Sequence, residues 1–106
     1  MSIATQFKVS DVQITGAANT KITNLSAPTA DTEVSLALQT NLKAITIRAR
    51  TISTVKFSFT SGESGTTFIT IPPGASYSQN QLGLSSATLY VQTDIDSNTL
   101  EILEYY

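Results

Sequence analysis

Few residues in this 106-residue chain are able to do chemistry. Ser53-Thr54-Val55-Lys56 has the spacing of the S-x-x-K motif, in which a lysine beside a serine assists proton transfer and makes the hydroxyl a nucleophile. That motif opens a helix and works with partner motifs further along. Here the same residues sit in an alternating, strand-like run, so the spacing is read as coincidence. Asp94-Ile95-Asp96-Ser97-Asn98 sets side-chain oxygens at alternate positions, as the start of a calcium loop does. An EF-hand then needs Gly at its sixth and Glu at its twelfth position. Thr99 and Tyr105 stand there instead, and a polar turn is predicted. Nothing in the spacing of the carboxylates selects a pair for glycoside hydrolysis, and without Trp there is little platform for stacking sugars. The chain also has no His and no Cys, which removes the commonest general base near neutral pH and all thiolate chemistry. The expectation is a protein that is not an enzyme, with no catalytic residues, no cofactor and no metal site.

The charges are more suggestive. Lys43, Arg48, Arg50 and Lys56 supply four of the six cations within one central stretch, and alternation turns Arg48, Arg50 and Lys56 outward. Asp94, Asp96, Glu101 and Glu104 cluster near the C-terminus. Such patches are expected to meet between subunits, or the basic one to dock on an acidic partner; the alternative is a solvated sheet face. Tyr105 and Tyr106 combine large contact area with a polar tip, and so fit an interface or the protein's own sheet. Arg48, Arg50, Tyr105 and Tyr106 are therefore the candidate interface residues. A net charge of −2 argues against nucleic acid as main partner. No apolar run approaches the roughly 20 residues of a membrane-spanning helix, so no membrane partner is expected. The first residues lack the basic start and apolar middle of a secretory signal, and cytosolic synthesis is expected. Asn24-Leu25-Ser26 is a glycosylation sequon by pattern only.

The elements that must carry these residues read as strands. Ile45, Ile47 and Ala49 alternate with Thr46, Arg48 and Arg50, and Val55, Phe57 and Phe59 alternate with Lys56, Ser58 and Thr60. The two runs are predicted to pair as a hairpin across 51–54. A second hairpin is predicted from 55–60 to 68–71 around Gly62 and Gly65, ended by Pro72-Pro73-Gly74 because neither proline can donate to a ladder. A closing hairpin is predicted between 88–92 and 100–103, where adjacent Ile102 and Leu103 suggest a bulge or apolar surface on both faces. Residues 7–14, 20–25 and 32–39 can each be strands. Residues 31–42 also have a helical reading through Val34, Leu38 and Leu42, but strand is preferred because Val34, Leu36 and Leu38 alternate cleanly.

Seven or eight short strands with polar turns predict an all-β fold, an antiparallel β-sandwich or jelly roll. One domain spans 1–106, with residues 1–30 as a candidate N-terminal arm. About 100 residues bury roughly 65% of the extended chain's surface, enough for a core without staples. The predicted core is Val34, Leu36, Leu38, Ile45, Ile47, Val55, Phe57, Phe59, Phe68, Ile71, Leu89, Val91, Leu100 and Ile102.

The series Ile47-Arg48-Ala49-Arg50, Phe59-Thr60-Ser61-Gly62, Ile69-Thr70-Ile71-Pro72-Pro73-Gly74-Ala75-Ser76-Tyr77, Leu89-Tyr90-Val91-Gln92 and Glu101-Ile102-Leu103-Glu104-Tyr105-Tyr106 resembles small β-rich structural proteins of tailed bacteriophages. Within these it is most similar to capsid decoration, or cement, proteins, over residues 34–106. The resemblance implies a virion protein on the capsid exterior, made in the host cytoplasm. It implies a homo-oligomer, dimer or trimer, that stabilises the head by bridging neighbouring subunits of the major capsid protein. It offers no catalytic residues. A tail or fibre accessory module that binds carbohydrate through Tyr77 and Tyr90 is the alternative, and a small hydrolase is disfavoured by the missing His.

Overall fold

A computed structural model describes residues 17–80 and 82–106. They form eight strands: β1 (Thr20–Ala27), β2 (Val34–Ala37), β3 (Ala44–Ala49), β4 (Val55–Ser58), β5 (Ile69–Ile71), β6 (Ser76–Gln79), β7 (Thr88–Thr93) and β8 (Asn98–Tyr105). One sheet has the order β1-β8-β3-β6 and the other β2-β7-β4-β5, with every pairing antiparallel. The pairs nest: β4 with β5, β3 with β6, β2 with β7 and β1 with β8. The chain is thus one long antiparallel ribbon, folded at the β4–β5 loop and wound on itself. This is the jelly-roll form of the β-sandwich. Among the described residues no helix is long and apolar enough to cross a membrane.

Strand β8 shows how the sequence produces this. Asn98, Leu100, Ile102 and Glu104 are buried, while Thr99, Glu101, Leu103 and Tyr105 between them are only partly covered. A period of two puts the first set into the sandwich and the second on its outside. Partners fall in register on both sides, from Thr20↔Tyr105 to Ala27↔Asn98 on β1 and from Ala44↔Tyr105 to Ala49↔Leu100 on β3. The apolar inward set of the other strands (Ile45, Ile47, Val55, Phe57, Ile71, Leu89, Val91) completes a continuous core. Phe57 is fully buried at its centre, 4.9 Å between ring centroids from Tyr77 and edge-on to Phe59 at 5.9 Å.

The turns follow from local chemistry. Ala75 N–H donates to Pro72 O at 3.0 Å, and Gly74 takes φ 80°, so Pro73-Gly74 forms the turn that carries the chain from one sheet to the other. Asp31, Asn41 and Ser97 also adopt positive φ, each in a connection between sheets. At the 59–68 loop, the Glu33 carboxylate accepts from Gly62 N–H at 2.9 Å, Ser64 N–H at 3.1 Å and Ser64 Oγ–H at 2.5 Å. Ser64 is buried by this anchorage.

Several sequence expectations change. The hairpin across 51–54 does not form, because β3 and β4 lie in different sheets, and the same holds for β7 and β8. A connection of four or five residues can close a hairpin or arch across the roughly 10 Å between stacked sheets, and alternation does not distinguish them. The β4–β5 hairpin is present, with Val55↔Ile71 and Phe57↔Ile69. Residues 34–37 are strand, not helix. Strand β8 carries no bulge; its Ile102 faces the core and Leu103 the outside. Phe59 and Phe68, expected in the core, are 41% and 37% exposed, since both lie beyond the ends of the paired strands. Leu42 and Ala27 are buried in the core instead. Of the segment considered as an arm, Thr20–Ala27 is strand β1, paired along its whole length with β8. The strand considered at 7–14 lies outside the described residues. Phe57→Ala is expected to lower unfolding free energy by about 3–5 kcal/mol, read as a reduced urea midpoint; a loss similar to that of an exposed site would overturn Phe57's central place.

Candidate functional site

The constellations that suggested chemistry are used structurally. Ser53 Oγ–H donates to Thr51 O at 3.0 Å and its oxygen accepts from Asn98 Nδ2 at 2.7 Å, a buried arrangement that leaves no free nucleophile. Lys56 lies on a different face, its Nζ 4.8 Å from the Phe68 ring centroid in a cation–π contact. In the 94–98 segment, Asp94 Oδ1 accepts from Thr54 N–H (3.0 Å), Asp96 Oδ1 from Ala30 N–H (2.7 Å) and Asn98 Oδ1 from Thr51 N–H (3.3 Å). Asp94 and Asn98 hold the β3–β4 connection, and Asp96 holds the β1–β2 connection. Among the described residues no group of three or more acidic side chains converges as a metal site would require.

Three of the four candidate interface residues come together on one surface. On the outside of the β1-β8-β3-β6 sheet the register sets Asn24, Glu101, Arg48 and Ser76 in one row across the strands, and Ile22, Leu103, Thr46 and Ser78 in the next. Tyr105 follows on the same face, opposite Thr20 and Ala44. An open groove of about 390 Å³ runs between the two rows, lined by Ile22, Asn24, Thr46, Arg48, Ser76 and Glu101 among others. Ile22 is 73% exposed, unusual for an isoleucine in the middle of a strand. Tyr106 does not share the face through its strand. Its backbone is tied within the chain, N–H to Asn19 O at 2.9 Å and O to Asn19 N–H at 2.8 Å and Ala18 N–H at 3.0 Å.

The opposite charges meet within the chain. Arg48 Nε donates to Glu101 Oε1 at 2.6 Å and Arg50 Nε to Glu101 Oε2 at 3.0 Å, so one carboxylate bridges both guanidinium groups. The arginine side chains remain 63% and 52% exposed, against 26% for Glu101. The hydrogen bond from Arg48, then that from Arg50, holds the Glu101 carboxyl below its ordinary value of 4.5. Lys56 projects from the other sheet, so the central cations do not form a single patch. The signals for Ile22, Asn24, Thr46 and Ser76 were absent from the sequence, because only cross-strand register makes them neighbours.

Glu104 is a second unusual carboxyl. It is 1% exposed and points inward; Oε2 accepts from Gln39 N–H at 2.7 Å, while Oε1 has no hydrogen-bond partner among the described residues. Thr23 Oγ1, on neighbouring β1, is likewise buried and unpaired. Such a group costs about 1–3 kcal/mol, so its carboxyl opposes folding except through the bond that secures the β2–β3 connection.

No protein-family model matches the chain, and comparison with curated proteins also gives no match. Among solved structures it is similar to the solution NMR structure of a de novo designed double-stranded β-helix, with a TM-score of 0.50 and 13% identity, covering 84% of this chain and 100% of that one. The likeness concerns the fold alone, and it agrees with the nested strand pairing.

Two outcomes are expected. Ser64 first, then Gly62, holds the Glu33 carboxyl below 4.5, as the arginines do for Glu101. A carboxyl with a lowered folded value binds fewer protons when folded, so its contribution is full above 4.5 and is lost as pH falls through the lowered value. Melting temperature should fall with acidification below that point, less steeply in Glu33→Gln and Glu101→Gln; an unchanged slope would count against both networks. Glu104→Gln, which keeps an acceptor for Gln39 and exchanges the buried acid for a neutral amide, is expected to raise the unfolding free energy by about 1 kcal/mol in urea titration, and a loss of that size would show that Oε1 is satisfied in solution.

Proposed function

We propose that this protein is a non-enzymatic structural component of a tailed-phage virion: a capsid decoration, or cement, protein that stabilises the head by bridging neighbouring major capsid protein subunits. It docks through the outer face of the β1-β8-β3-β6 sheet. The observation that carries the reading is that face itself, where an exposed isoleucine, two arginines oriented by one glutamate and a tyrosine lie together on one antiparallel sheet. The interior beneath it is filled with aliphatic and aromatic side chains, and Ser53 and Asp94 are committed to holding loops. A protein of this design is suited to holding surfaces in place.

Burying one exposed isoleucine and ordering a few charged contacts yields only modest affinity, about 1–3 kcal/mol for the side chain. A dimer or trimer of this protein on a local symmetry axis repeats the contact, and each added foot raises the effective concentration of the next. Weak docking therefore becomes durable attachment at the capsid exterior. Assembly would follow synthesis in the host cytoplasm, and neither nucleic acid nor membrane is needed as a partner.

Cosedimentation with purified heads lacking the protein tests this. Saturable binding is expected, with light scattering on the free protein giving the oligomer. Ile22→Ser should weaken docking about tenfold while leaving the fold intact, because the side chain is already 73% exposed. Heads that sediment without the protein, under conditions where it is folded, would overturn the proposal.

A further inference from the structure

We propose that the groove on the outer face of the β1-β8-β3-β6 sheet is a receptor for an extended acidic segment of a protein partner. One partner carboxylate is held between the guanidinium groups of Arg48 and Arg50, and an adjacent apolar side chain packs on Ile22 and Leu103. The inference rests on the docking reading above and gives the docked partner a chemistry.

The charge arithmetic points to an anion. Two cations share the single Glu101 carboxylate, Arg48 lining the groove and Arg50 beside it, which among the described residues leaves one positive charge uncompensated. Each arginine spends its Nε–H on Glu101. Among the described residues nothing bonds to the terminal nitrogens, which are the donors a carboxylate engages in paired fashion. Glu101 therefore acts as a positioning residue: it fixes two flexible side chains beside each other before a ligand arrives, and so reduces the ordering cost of binding. Its lowered ionisation range, caused by Arg48 and then Arg50, keeps this arrangement in place well into mild acid.

The geometry points to a chain segment and not a free anion. The charged row Asn24-Glu101-Arg48-Ser76 lies directly beside the row Ile22-Leu103-Thr46-Ser78, so the groove is charged on one wall and has its apolar surface on the other. A small inorganic anion would leave Ile22 in water. Four strands spaced at about 4.8 Å give a groove about 14 Å long, which an extended segment of about four residues spans. Such a segment alternates its side chains between the two walls, which fits acidic and apolar residues in alternation. The ladder bonds of the floor are already made, leaving Asn24, Thr46 and Ser76 as the polar side chains able to meet a crossing backbone.

The test is an NMR titration of the full chain with the capped tetrapeptide acetyl-Leu-Glu-Leu-Glu-amide. Controls are its Gln counterpart, acetyl-Leu-Gln-Leu-Gln-amide, and inorganic phosphate. Saturable shifts are expected at the Ile22 and Leu103 methyls and at the Arg48 and Arg50 Nε–H, with the Gln peptide at least about tenfold weaker. The variant R48K/R50K keeps the charge and removes the fork, and should weaken the acidic peptide by a similar factor with an unchanged amide spectrum elsewhere. Equal binding of both peptides, absence of saturable shifts, or phosphate displacing the peptide at equal affinity would each overturn the inference. The last result would make the groove a free-anion site. If heads bind both wild type and R48K/R50K while the peptide fails, the acidic-segment inference falls and docking stands. If the peptide binds selectively but heads do not, the receptor stands and the capsid reading falls.

Discussion

Strand β8 is the element on which the rest depends. It is flanked by ladders on both sides, in register with all eight residues of β1 and with six of β3, and its alternation decides at once what lies inside the sandwich and what lies on the outer face. A slip of one residue would bring Glu101 and Leu103 inward and expose Leu100 and Ile102. The register is secured at both ends by polar side chains that have only one workable position. Asn98 joins Thr51, Ser53 and Thr99 at one end, and Glu104 receives Gln39 N–H at the other.

These two end fixtures differ in quality. Around Asn98 donors and acceptors are matched, so the arch from β3 to β4 is stabilised by hydrogen bonds shielded from water. Around Glu104, among the described residues, one oxygen is left over, next to a strand whose Thr23 hydroxyl is also unmatched. Specificity of register is thereby obtained at some expense in stability, a compromise seen when buried polar groups select one arrangement over its neighbours. The strongly apolar middle of the core, from Ile45 and Ile47 across to Phe57, Leu89 and Val91, offsets that cost.

The outer face uses the same strand for a different end. Because Glu101 lies between Asn24 and Arg48 in register, and Arg50 N–H is bonded to Thr99 O one step further, both arginines converge on one carboxylate that is itself immobile in the ladder. Flexible side chains are thus presented from a fixed base. Beside them, Ile22 is held in water by an edge strand whose inward positions, Leu25 and Ala27, satisfy the core. Apolar exposure and oriented charge in one groove give the surface both adhesion and selectivity, without any moving part.

Most strand segments, the two sides of those strands and the all-β architecture were legible in the sequence, since period-two alternation is a local consequence of the pleat; β6 was not, because Ser76-Tyr77-Ser78-Gln79 has too few apolar residues to show alternation. The absence of His and Cys is likewise read from composition alone, and it is what made a non-enzymatic protein the expectation. The terminator at Pro72-Pro73-Gly74 acted as read, because proline and glycine impose their dihedrals locally. Tertiary structure alone decided which strands pair: short connections such as 51–54 and 94–97 turned out to arch between sheets, a choice made by the nesting of the whole ribbon. It also decided that Arg48 and Arg50 meet Glu101 within the chain while Lys56 faces elsewhere, and that Ile22 lies beside Leu103. Side-chain direction is written along the chain, residue by residue. Neighbourhood across strands depends on register between segments tens of residues apart, which no local pattern encodes.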